Sequence, residues 1–263
     1  MRANDAFQRV NERGWKRGLR NLLRSEMGGW WKTSAWRVQA LSWTAIINIP
    51  VATLIWGPYS EGTPSGITLY AILASIFPTI AVIIILQDAI IGEKESGTAA
   101  WVMSKPASHT AFIVAKLIAH SFGVFVTMTL LPGIVAYIQI SLASGAWLSL
   151  LNFFMGIVVI WLYQFFFLTL TLMLGVLYDQ RGAVAGPAFA LAFGSQMLLL
   201  VLPVLNFVLP WRLAIGTGTD SLSVVESVIL GTPPFSWLPV ISVASFAALF
   251  IAVAIRKFHQ QEL

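Results

Sequence analysis

The sequence predicts an all-α membrane protein with six transmembrane helices, both termini cytoplasmic, an amphipathic N-terminal elbow helix and a re-entrant segment between spans five and six. Three observations predict it. The chain is 57% hydrophobic and 10% charged over 263 residues, whereas soluble domains run near a half and a quarter. Six stretches long enough to cross hydrocarbon carry no charged side chain: Val38 to Trp56, Ile67 to Gln87, Leu117 to Ile140, Trp147 to Leu177, Gly182 to Trp211 and Pro233 to Ile255. With both termini inside, Arg212 is the single one of the 16 Lys and Arg residues to fall outside, as the positive-inside rule requires.

The chain reads as one transmembrane domain over 1–263. Residues 1–36 form a cytoplasmic and interfacial segment, in which Leu19, Leu22, Leu23, Met27, Trp30 and Trp31 recur at helical spacing opposite Lys16, Arg17, Arg20 and Arg24. Such a helix lies in the headgroup layer, and its charged region is too long for a cleaved targeting signal. Gly28 and Gly29 loosen it ahead of the first span. The spans follow at 38–56, 67–87, 110–140, 147–177, 182–209 and 235–255. The fourth and fifth uncharged stretches exceed one crossing and must tilt, protrude or fold back. Pro203 and Pro210 favour folding back for the fifth, because each removes a backbone donor and crowds the preceding turn. The helix is expected to end near Leu202. Short helices then follow to Pro234, and residues 210–234 form an outer loop or re-entrant region with Asp220 capping a helix and Arg212, Asp220 and Glu226 over the outer mouth.

Several chemistries are excluded. The basic residues crowd the first 37 positions beside lipid-soluble sequence, which fits a membrane surface and not nucleic acid. There is no cysteine, hence no disulfide, thiolate metal site or cysteine nucleophile. The dipeptide Gly-Lys never occurs, so the phosphate-cradling loop of an ATPase is missing. His109, His120 and His259 lack ligand spacing, so no metal site, cofactor or catalytic residue is expected and the chain is not itself an enzyme. Asp88 and Asp179 sit at span ends, which argues against an ion-coupled transporter. Lys116 and His120, one turn apart in span three, read as interfacial groups snorkelling to headgroups, with a gate at the inner mouth as the alternative. Asn48 and Gln164 are the candidate pathway residues, with hydrogen bonding between helices as the alternative for each. A neutral, aromatic and amide lining suits amphiphilic or lipid-like cargo.

The inner loop, 88–109, carries the most information. Ser96 can cap a short helix from Gly97 to Ser104, Pro106 ends it, and Ser108 can cap span three. Ala99, Trp101, Val102 and Met103 are expected on its exposed face. An apolar patch in water marks a docking surface, although the helix could instead plug back into its own bundle.

Glu93, Gly97-Thr98, the apolar run through Val102 and Met103, Pro106 and then Lys116 resemble the signature of permease subunits of ATP-binding cassette type 2 exporters. His109 departs from it, standing where members often have Arg or Lys. The resemblance implies that 97–104 is a coupling helix seated in a cleft of a separate ATPase subunit, which holds the ATP and Mg. Glu93 and Glu95 would contact or position that subunit, Gly97 and Thr98 would shape the helix start, Trp101 and Val102 would form its apolar face, and Pro106 would fix its exit. It also implies a second permease copy or paralogue, alternating access, and a prokaryotic cytoplasmic membrane. The competing reading is a structural or biogenesis subunit of a membrane complex, docking a permanent partner through the same patch.

Overall fold

A computed structural model describes residues 13–194, 197, 202–216 and 222–260. Five helices in it are long and apolar enough to cross a membrane. Helix α1, Leu19–Trp31, precedes the first of them, α2, Ala35–Trp56. Helix α3, Thr63–Glu95, is followed by the short α4, Thr98–Met103. Helices α5, His109–Val124, and α6, Leu131–Ser144, form one rod joined by a widened π turn at Phe125–Leu130. Pro132 lies just beyond that turn and has no N–H to give, so the wider winding accommodates a site where regular hydrogen bonding already fails.

Helix α7, Leu150–Leu177, is the central post, packed against α3 along its length. The expected fifth span starts as α8, Arg181–Phe189, and continues as a second π turn at Ala190–Gly194; much of its remainder lies outside the described residues. A 3-10 turn at Pro203–Phe207 leads to α9, Trp211–Ala214, and α10, Val224–Leu230, and the chain closes with α11, Leu238–Phe258, packed on α7. Leu202 is not helical and Pro203 opens the 3-10 turn; the expected end of the fifth span near Leu202 falls among residues outside those described. The Asp220 cap falls outside the described residues. Ser223 caps α10 instead, in a capping box with Glu226, so two orphan donors are satisfied reciprocally.

Two apolar clusters hold the bundle. The larger joins α2, α3, α6 and α7 to α8, α9, α10 and α11. The second lies at the end that carries the 96–108 loop and unites Trp30 of α1, Leu86 and Ile90 of α3, Ala99 of α4, Phe112 of α5, Leu172 of α7 and Phe258 of α11. Phe112 and Phe258 stack with ring centroids 5.0 Å apart, which fastens the last helix to the first turn of α5.

Deep polar groups serve the backbone. Pro78 leaves the carbonyl of Ala74 in α3 without its helical donor, and the Gln164 side-chain amide donates to that carbonyl at 2.8 Å. Thr129, in the π turn, donates to the Gln164 amide oxygen at 2.8 Å. Asn48 donates to the carbonyls of Thr44 and Pro132, and Gln139 donates to Asn48. The structure thus engages both candidate pathway amides in bonds between helices.

Candidate coupling site

Helix α3 continues two turns past Gln87, because Ile90 and Ile91 are buried against the bundle and draw the helix on to Glu95. This places Ser96 at the end of α3 in right-handed helical geometry, where it cannot adopt the extended conformation of a cap. Its hydroxyl bonds to the Glu93 carbonyl and to Thr98 Oγ1. Gly97 makes the reversal instead, at φ 70°, a left-handed conformation that glycine alone adopts without cost. The expected Ser96 cap is therefore replaced by a glycine turn. Ser108 does cap α5, accepting from the Ala111 amide.

The expected exposed patch divides. Ala99 is 2% exposed, and Val102 and Met103 are half-buried against the loop-end cluster. Trp101, at 61%, stands out from the helix, with the Lys105 ammonium 4.9 Å from its ring centroid. A helix of fewer than two turns has one stripe for the bundle and one for the outside, and of the four apolar residues expected there the periodicity puts only Trp101 on the second. Glu95, Thr98, Ala100 and Pro106 are exposed beside it.

Three sets of polar contacts fix this helix to the rest of the protein. At its exit, Ser108 donates its amide to the Arg17 carbonyl and its hydroxyl to that of Trp15, while Gly18 packs so close to Ala107 that an added Cβ would lie 3.0 Å from the alanine methyl. At its entrance, Lys94 pairs with Asp179 at 2.8 Å and donates to the carbonyls of Val176 and Tyr178, the negative end of α7. Arg181 bridges Asp88 and Glu95, each at 3.0 Å; Glu95, then Asp88, hold its guanidinium proton above the ordinary range. These pairs are exposed and contribute orientation more than stability.

The third set is internal. Lys116, 1% exposed, places its ammonium 2.6 Å from Glu93 and 2.8 Å from Glu26. His120, 8% exposed, accepts the indole N–H of Trp30 on Nδ1 at 3.1 Å. Neither side chain snorkels to the surface, because the elbow helix folds over both: an added Cβ on Gly123 would lie 2.5 Å from the Trp30 ring. Glu93 accordingly turns inward, and Glu95 is the carboxylate left at the surface. Glu26 was missed from sequence. The signal was there: it is the single acid of α1 and lies one turn before Trp30 on the same face.

At the opposite end Arg212 is buried, donating to the Ile215 carbonyl and lying over the Phe235 ring. Glu226 accepts from Thr68. Among the described residues no cluster of three or more His, Asp or Glu could hold a metal ion.

Five helices long and apolar enough to cross a membrane, with a short loop helix fastened to them on three sides, define the class as a multi-pass helical membrane protein. The family model for ABC-2 family transporter proteins matches residues 8–263, and the chain belongs to that family, as a multi-pass permease component of an ATP-binding cassette transporter. No curated protein matches the chain.

Proposed function

We propose that this chain is the transmembrane subunit of an ATP-driven exporter in which α4 receives the movement of a separate ATP-binding subunit. The observation that carries the reading is the division of α4: an anchored inner face and a bare Trp101 outside. Tryptophan is a frequent hot-spot residue at protein interfaces. Glu95, Thr98 and Pro106 border it, and Glu93 positions the helix from within through Lys116. Both termini and the 96–108 loop are cytoplasmic in this reading, two copies or paralogues form the pathway, and the cargo is amphiphilic. Nucleotide can bias the two packings of the bundle only by binding them with different free energy. The contacts of Lys94, Arg181 and Lys116 make α3, α5, α7 and α1 follow α4 as one body.

Co-purification with the ATP-binding subunit and measurement of its turnover test this. Trp101→Ala should weaken docking by about 2 kcal/mol or more, roughly thirtyfold in affinity, and lower stimulated turnover with no loss of thermal stability of the permease. Unchanged stimulation, or a stable complex that holds no ATPase, contradicts the proposal.

A further inference from the structure

A cavity of about 390 Å³ lies where α1, α2, α3 and α5 meet, lined by Glu26, Trp30, Gln39, Ile85, Glu93 and His120 among others. Its polar groups are incompletely satisfied. Glu93 Oε2, Gln39 Oε1 and His120 Nε2 are buried without a hydrogen-bond partner. Because His120 Nδ1 accepts from Trp30, the ring is neutral with its proton on Nε2, which stands 3.7 Å from Glu26. Among the described residues Lys116 is then the one cation paired with the two carboxylates, and one negative charge is left over. The two carboxylates are partly exposed, 19% for Glu26 and 27% for Glu93, so this surplus faces the open cavity, where a cation can reach it.

These groups define the chemistry of a ligand that would satisfy them. It carries one positive charge and brings N–H donors for the two orphan acceptors, which a primary ammonium does with three. A quaternary ammonium supplies charge but no donor. The volume suits a headgroup more than a lone ion, Trp30 offers an aromatic wall, and the amphipathic α1 is built to lie at headgroup depth. We propose that this cavity binds the primary ammonium of an amphiphile, either the head of an ethanolamine phospholipid or a single-chain amine. The inference does not rest on the coupling role of α4, and its test reads no ATPase activity.

Native mass spectrometry of the intact chain in detergent, titrated with phosphatidylethanolamine, phosphatidylcholine, phosphatidylglycerol and dodecylamine, tests it. Phosphatidylethanolamine should be retained about tenfold more strongly than phosphatidylcholine, the equivalent of one charge-assisted hydrogen bond. Gln39→Leu, which leaves both ion pairs intact and should leave lipid-free thermal stability unchanged, should remove that preference; Gln39→Glu should increase it. Displacement of the phospholipid by dodecylamine supports one shared site, and dodecylamine binding without a phospholipid preference supports the site with a single-chain amine as its ligand, provided Gln39→Leu abolishes it. Equal retention of the two zwitterionic lipids with no amine binding overturns the proposal. So does an ethanolamine preference that survives Gln39→Leu, or a dominant preference for phosphatidylglycerol, which would reflect the basic surface.

Discussion

Lys116 shows how one side chain can look peripheral in a sequence and be central in a fold. Four residues from His120 and close to a span end, it has the pattern of a snorkelling lysine. The partners that make burial tolerable, Glu26 and Glu93, lie 90 and 23 positions away, and no local pattern announces a contact of that range. Replacing it by methionine leaves two carboxylates facing each other in a shielded site. Lys116→Met should cost about 3 kcal/mol, seen as a lower unfolding temperature in detergent, and Lys116→Met with Glu93→Gln should recover part of it. Gln164 offers a sharper test, because its task is set by another residue. Gln164→Leu leaves the Ala74 carbonyl unpaired and should cost about 1–2 kcal/mol. In a Pro78→Ala background the helix supplies its own donor, and the same change should cost clearly less. Equal costs in both backgrounds would show that the amide does not repair the proline defect.

Helices are where the sequence was most legible. Uncharged length located α2, α3, the α5–α6 rod, α7 and α11, since hydrocarbon demands continuous apolar helix whatever the tertiary context. Boundaries were less legible: α3 runs on to Glu95 because Ile90 and Ile91 find the bundle, a packing fact that hydropathy does not contain. For the same reason α4 kept its place but changed its faces, with Ala99, Val102 and Met103 turned inward and Trp101 outward. The elbow helix was recognised as amphipathic, yet its apolar side rests on α5. Gly123→Ala, which would drive a methyl into the Trp30 ring, should cost about 1–3 kcal/mol by overpacking and loosen α1, measured as faster amide exchange across residues 19–31. Gly182→Ala on α8, where the added Cβ meets nothing within 4 Å, should be stabilising by about 0.5–1 kcal/mol, as expected for removing a helical glycine.

For the molecule as a whole, family and architecture agree on a multi-pass permease, whose loop end is bound into one body by the α11–α5 stack, the Lys116 cluster and the Arg181 bridge. The sequence could not reveal that unity, because each fastening joins residues on different helices. It did mark the segment that leaves Trp101 exposed, through glycine, proline and an aromatic placed where water should select against it. Incorporation of a photo-crosslinking amino acid at position 101 in native membranes asks the question directly. The predicted result is an adduct with the ATP-binding subunit whose yield changes with nucleotide. Adducts confined to lipid or to this chain itself, in membranes where that subunit is present, would contradict a coupling role for α4.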